Sequence, residues 1–578
     1  MYEQRPWLKY YGDIPTTIDF PRISLYEALM NSISQHADYI AWDFFGKTQT
    51  YAEFSQAIQH CADGLAELGL EAGDRITIAM PTCPQSIISL YAINCLGAVA
   101  NIIHPLASSD EIEYYLNISQ SRIAIALDIF FPKFNAIYKQ THLKKLILTK
   151  TSDYLPISWK VKFALSKSQK QPQIPTEQWV VKWPALFDPN HPRCIPVPTN
   201  TDALAAILYS GGTTSTPKAV MLSNRNLITA GMNVSIWGSF CQRDTILAIS
   251  PLFHSFGLGA CAIATFLSGA KNILTPQLTP KMITHLIRTK KPNMIIGIPS
   301  LFHALIQYPK FQKTDLRCLK AAFCGTDRLP QIVKKRFEEI VRKTGSNVRI
   351  QESYGLTEAV SAVIGNPAEG YQEGSIGIPF PNIVAKIVRP GTDEEIGYGG
   401  QGELCLHGPT IMLGYLNQPE KTAGILKKHR DGKIWLHTED LCSMDEDGFF
   451  YFHLRLKRII KSSGFTISPI QLEDRLMCHP DVLETCVIGI PDLAMIEKVK
   501  AFVVLKEAQK ASSDMMQILS EYCRKELVKE SCPVEIEFRP EIPKTLLGKI
   551  AYHELVEQEI QKLRNTGQCI DESHHWSH

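Results

Sequence analysis

Apolar positions from Leu25 onward fall first at helical spacing and then in short runs. LYEALMNSISQ and YAEFSQAIQHCADGLAELGL carry the i, i+3, i+4, i+7 stripe of amphipathic helices, and β-branched runs such as RITIAM lie between helical stretches. That alternation predicts an α/β class. From Ala203 the apolar run ALAAILYS leads into Gly211 and Gly212, and Ser223 precedes the helical pattern NRNLITAGMNV as an N-cap. The expected order there is strand, loop, helix. Near Tyr451 the texture changes: DGFFYFHLRLKRIIKSSGFTISP combines a strand-like run, alternating charges and a glycine turn. A domain boundary is expected there, dividing a first domain over 1–457 from a smaller one over 458–564, with a polar tail over 565–578. The second should hold a helix around 471–479, strands VLETCVIGI and VKAFVVLK, a helix around 515–528 and a strand VEIEFRP.

Two uncharged stretches, Ser86 to Ile103 and Thr245 to Ala270, have the length of membrane spans. Asn94, Gly97 and Asn101 interrupt the first, and Pro251, His254 and several glycines the second, so both read as buried helix and strand. A large core is in keeping with 578 residues, too many for one domain, and with 45% hydrophobic and 20% charged residues. Sixty basic residues against fifty-eight acidic ones leave +2, which gives no field to draw nucleic acid or anionic lipid. SWKVKFALSKSQKQ sets Trp159, Phe163 and Leu165 among Lys160, Lys162, Lys167 and Lys170; it reads as a solvated surface excursion, at most a peripheral membrane contact. Fifteen singly scattered cysteines without a Cys-x-x-Cys pair indicate reduced thiols, and MYEQRPWLKYYGDIPTT lacks a secretory leader's apolar core. A cytoplasmic location is expected.

The chemistry concentrates in YSGGTTSTPKAVMLS, Tyr209 to Ser223. Gly211 and Gly212 let backbone amides face a polyphosphate, Ser210, Thr213, Thr214 and Ser215 add hydroxyl donors, and Lys218 adds positive charge. Pro217 before Lys218 rules out a Walker A loop. Further along stand YGLTE (Tyr354 to Glu358), WLHTEDL (Trp435 to Leu441), FHLRLKRIIKSSGF and PKTLLGKI. A flat tyrosine ring suits a purine, and the Glu358 carboxylate is a hard oxygen ligand for a phosphate-bound metal.

These blocks, in this order over nearly the whole chain, resemble the adenylate-forming superfamily of acyl-CoA synthetases, adenylation domains and luciferases. The implied fold is a large N-terminal domain of mixed sheets and helices with a small β-barrel-like part, plus a small mobile α+β C-terminal domain. The implied activity is ATP-dependent conversion of a carboxylic acid to acyl-AMP with pyrophosphate release, then thioester formation with coenzyme A. ATP, Mg2+ and coenzyme A are the implied cofactors, and medium- to long-chain fatty acids the implied substrates. Alternatives are a fatty-acyl-AMP ligase that loads a carrier protein, an aryl-acid ligase, and a weakened non-catalytic binding homologue.

The resemblance assigns residues as well. Tyr354 stacks on adenine with Gly355 beside it, Thr357 approaches the α-phosphate, Glu358 and Thr213 hold magnesium, and Asp440 accepts the ribose hydroxyls. Arg455 contacts the nucleotide, Arg458 is the hinge, Lys461, Ser463 and Gly464 belong to the thiol-tunnel side, and Lys549 is the catalytic lysine. His254, in PLFHSFGL, stands near the substrate carboxylate, and Gly325 and Thr326, in FCGTDRLP, stand beside the acyl group; Asp327 and Arg328 either pair with each other or face away. Three positions depart from the family pattern: Glu439 stands for glycine, Leu454 for glycine, and Arg458 for Asp or Lys.

Overall fold

The computed structural model describes residues 4–565 apart from 158, 161–171, 173, 175–176, 199, 211–216, 277, 463–464, 493–494, 526–531 and 546–548. Two large sheets carry the first domain. One runs in the spatial order Gly414–Tyr415, Lys218–Ser223, Leu204–Ser210, Val99–Ile102, Arg75–Ala79, Ile123–Leu127, Lys145–Thr149, Val180–Lys182, and is parallel from Leu204–Ser210 to Val180–Lys182. The other has a parallel centre, with Ala321–Cys324 between Met294–Gly297 and Ile350–Gly355. Parallel strands need crossovers, and amphipathic helices supply them, as the alternating pattern predicts.

Buried Asn94 shows how the helical layer is tied. Its Oδ1 accepts from the Tyr26 amide at 2.8 Å, and its Nδ2 donates to Asn224 Oδ1 at 2.8 Å. The first uncharged stretch forms the buried helix Pro84–Cys95 and strand Val99–Ile102; the second forms Thr245–Ala248, a π-helical segment Gly257–Ile263 and the helix Ala264–Leu267. Among the described residues no helix is long and apolar enough to cross a membrane. Ser223 caps Asn224–Trp237 as expected, its Oγ accepting from the Asn226 amide at 3.1 Å. Trp159 departs from the surface reading: its ring packs on Phe45 with centroids 5.0 Å apart, because an indole buries more apolar area than the lysines around it. Phe163, Leu165, Lys162, Lys167 and Lys170 lie outside the described residues.

A five-stranded antiparallel sheet follows, built on Val384–Val388, Gly402–His407, Ile434–Met444, Leu426–Lys428 and Phe450–Arg455. The smaller C-terminal domain has its own sheet, with Val482–Asp492 against Ile496–Leu505 at its centre. Its first helix is Pro469–Met477, two residues earlier than the pattern suggests, because Pro469 is pre-set for a first helical turn. Its second, Ser513–Arg524, begins after Ser512, whose side chain accepts from the Met515 amide. The last helix is Tyr552–Asn565.

Candidate active site

The site lies where strands of the second large sheet end, the usual place for a ligand crevice in an open α/β sheet. Ile350–Gly355 delivers Tyr354 and Gly355, and Thr357 and Glu358 follow in the turn Thr357–Ala359. Only glycine fits at 355: a Cβ there would come within 1.9 Å of the Ser361 carbonyl oxygen. The long strand Ile434–Met444 brings Asp440 opposite Arg455, its partner in register. Asp440 is buried, accepts from the Tyr354 hydroxyl through Oδ2 at 2.6 Å, and faces Arg455 Nε through Oδ1 at 3.2 Å. Burial pushes its carboxyl pKa up, while Arg455 and the Tyr354 hydroxyl pull against that rise. Glu439, in the family's glycine position, adopts φ 59°, so the left-handed backbone persists with a side chain on it. The Glu403 carboxylate, accepting from the Glu439 amide at 3.1 Å, holds that turn.

Ser210 and Lys218 face each other where Leu204–Ser210 turns back as Lys218–Ser223. Gly211, Gly212, Thr213, Thr214 and Ser215 lie outside the described residues. Lys218 Nζ stands 5.0 Å from the Tyr415 ring centroid, and the Tyr415 hydroxyl donates to Glu358 Oε1 at 2.8 Å. Tyr415 thus connects the base of the loop to Glu358, a link that sequence reasoning missed. Its only local signal is an aromatic directly after Gly414. Glu358 keeps a second carboxylate oxygen, so a divalent cation carried on phosphate fits the donor chemistry there.

On the other flank, His254 Nδ1 accepts from the Phe256 amide at 3.2 Å, which leaves the proton on Nε2. Burial first, and Lys549 second, lower its pKa to about 3, so the ring is neutral and its Nε2–H is a donor. Gly325 packs against Phe256, where a Cβ would meet the ring at 2.8 Å, and Thr326 is held at φ 80°, a strained setting for a β-branched residue. Behind Phe256 opens a cavity lined by Trp237, Phe240, Phe323, Phe380 and the Glu352 carboxylate. It has about 30 Å³ of free volume, where one water needs about 10–15 Å³, so any larger guest must turn the aromatic rings aside.

Lys549 comes from the C-terminal domain, its carbonyl accepting from the Thr545 amide at 2.7 Å. Burial dominates and lowers its ammonium pKa, while the charges of Asp327, Asp440 and Glu358 oppose that effect and Arg455 adds to it. Asp327 and Arg328 do not pair through their side chains as one expectation had it. Arg328 instead reaches Asp474 of the C-terminal domain at 2.5 Å, since the closed domain offers a carboxylate in reach. Arg458 is held inside that domain, 2.7 Å from Glu473 and over the Tyr552 ring. Lys461 is exposed, its amide donating to Glu497 Oε2 at 2.6 Å. Ser463 and Gly464 lie outside the described residues.

The AMP-binding enzyme family matches residues 29–416, and the AMP-binding enzyme C-terminal domain matches residues 471–549. A long-chain-fatty-acid–CoA ligase of Bacillus subtilis is 34% identical over 582 residues, covering 97% of this chain and 99% of that protein. One from Salmonella typhi is 31% identical over 577 residues, covering 97% and 100%. Among solved structures, an anthranilate CoA ligase in complex with anthranoyl-AMP superposes with a TM-score of 0.82 at 23% identity, covering 96% of this chain and 99% of that one, a likeness of fold. A benzoate CoA ligase from Burkholderia xenovorans gives a TM-score of 0.78 at 21% identity, covering 92% and 99%. The chain therefore belongs to the AMP-binding enzyme family, as an adenylate-forming acid–thiol ligase.

Proposed function

We propose that this enzyme activates a medium- or long-chain fatty acid with ATP, releases pyrophosphate, and passes the acyl group from acyl-AMP to coenzyme A. What supports this reading most is that Lys549, carried by the C-terminal domain, comes within electrostatic reach of Glu358, Asp440 and Asp327 of the first domain. An ammonium placed there offsets negative charge that concentrates as a carboxylate oxygen attacks the α-phosphorus. Tyr354, held by its hydroxyl against Asp440, supports a purine, and Asp440 with Arg455 receives the ribose. Lys218 and the hydroxyls of Thr213, Thr214 and Ser215 hold the phosphates, and Thr357 reaches the α-phosphate. Glu358, with Thr213, would hold Mg2+, which neutralises phosphate charge when bound. Neutral His254 donates Nε2–H toward the acid's carboxylate, and the chain enters the aromatic cavity beside Gly325 and Thr326.

The second half-reaction needs Lys549 to leave before a thiol enters, a gating step suited to a rotating domain. In this reading the boundary lies at Arg458, whose packing against Glu473 and Tyr552 carries it with the C-terminal domain. Lys461, Ser463 and Gly464 then line the thiol's path. The cytoplasm is the proposed setting, with the cysteine spacing as support. The test is an AMP-forming assay with medium- and long-chain fatty acids and aryl acids, run with coenzyme A and with a holo carrier protein. Pyrophosphate release should fall roughly 10²- to 10³-fold in Lys549→Ala. Full release in that variant removes the role of Lys549, and release supported only by aryl acids replaces the substrate class.

A further inference from the structure

We propose that Cys405, His429 and His437 form a binding site for Zn2+ in the five-stranded antiparallel sheet, apart from the nucleotide crevice. Cys405 and His437 are direct partners across Gly402–His407 and Ile434–Met444, so their side chains leave the sheet side by side. His429 comes in from the turn after Leu426–Lys428, and the three donor atoms lie within 4.8 Å of one another. All three residues are buried.

Proton accounting fixes the tautomers of the two imidazoles. His437 Nδ1 lies 2.9 Å from Glu403 Oε2, so Nδ1 carries the proton and Nε2 presents a lone pair. The two Nε2 atoms are 2.9 Å apart, so His429 Nε2 donates to it. His429 Nδ1 then holds a lone pair that is buried without a partner. An ion held by both Nε2 atoms takes the place of that shared proton, and His429 then carries its proton on Nδ1.

The donor set selects the ion. One thiolate and two imidazoles suit zinc, whereas magnesium and calcium require oxygen ligands. Two zinc–nitrogen bonds of about 2.0–2.1 Å at a tetrahedral angle set the nitrogens about 3.3 Å apart, so the rings need to separate by only about 0.4 Å. Glu403 behind His437 is the outer carboxylate that fixes a ligating imidazole's tautomer and raises its basicity. Zn2+ displaces the Cys405 proton to solvent, the thiolate and Glu403 offset its two charges, and nearby Lys386 has its own counter-ion in Glu395 at 3.7 Å. A second cluster, Glu535, Glu537 and Glu559, is already filled by the Lys500 ammonium at 2.6 to 2.8 Å and makes no such site. Because Glu403 also accepts from the Glu439 amide, an ion here braces the strand that holds Asp440.

The test uses full-length protein stripped with a chelator, with no acid or ATP present, so it is independent of the ligase reading. Zn2+ and Co2+ are titrated into the wild type, Cys405→Ala and His429→Phe, the last chosen because His429 stacks on Trp435 with centroids 5.7 Å apart. The expected result is one equivalent of tightly bound Zn2+, a thiolate-to-cobalt charge-transfer band, and affinity weakened by about 10²-fold or more in both variants. No charge-transfer band, or a band and affinity undiminished in His429→Phe, overturns the proposal. Should Cys405→Ala fail to fold, the wild-type cobalt spectrum and His429→Phe still decide, since exposed Cys241 and Cys478 remain in both.

Discussion

Arg328 and Asp474 form an ion pair between the two domains, and breaking it should slow one half-reaction and spare the other. The oxygen-to-nitrogen distance is 2.5 Å, with side chains 41% and 42% exposed. Charges about 4 Å apart at an effective dielectric of about 20 attract by about 4 kcal/mol, but solvent and side-chain entropy reduce a pair this exposed to about 0.5–1 kcal/mol. That energy is a two- to fivefold change in the ratio of closed to open domain poses. Arg328→Ala and Asp474→Ala should each slow acyl-adenylate formation by about that factor in single-turnover pyrophosphate release without coenzyme A. Attack of coenzyme A on preformed acyl-adenylate should be unchanged or faster. Combining Arg328→Asp with Asp474→Arg should restore much of the loss, and high salt should narrow the wild type's advantage. Equal slowing of both half-reactions, or single-variant effects that merely add, refutes the latch.

Tyr354→Phe leaves a buried Asp440 oxygen without its 2.6 Å donor, so unfolding free energy should fall by about 1–3 kcal/mol in denaturant titrations, with a higher KM for ATP. Glu439→Gly relieves a left-handed strain of about 1 kcal/mol, offset by about 0.5–1 kcal/mol of added chain entropy, so the melting temperature should barely move. Loss of the charge beside Asp440 should lower the KM for ATP by roughly two- to fivefold, and an unchanged KM would place Glu439 away from the phosphates. His254, with its folded pKa lowered to about 3 from an ordinary 6.5, takes up a proton in the unfolded chain first. Stability is therefore fully present above about pH 6.5 and lost as pH falls toward 3. His254→Asn should flatten that acid limb by up to about 1.4 kcal/mol per pH unit, read from denaturation midpoints.

Features governed by near neighbours were legible in the chain before any coordinates. Helical periods alternating with short β-branched runs marked the α/β class, Ser223 marked a helix start, and internal polar residues, glycines and Pro251 marked the two uncharged stretches as core. Family motifs singled out Tyr354, Glu358, Asp440 and Lys549 as candidates, because each lies in a short block whose residue types suit one contact. Tertiary structure decided what depends on register and domain pose. Cys405 meets His437 only because their strands pair at that register, and a shift of one residue would send the two side chains to opposite faces. Arg328 chose Asp474 over Asp327 because a second domain lies against it, and Tyr415 found Glu358 through a turn distant in the chain. The left-handed backbone at Thr326 and Glu439 goes against local preference, so only surrounding packing could impose it. Sequence order sets local hydrogen bonding and periodicity, whereas side-chain pairing across sheets and domains is settled only when the whole core closes.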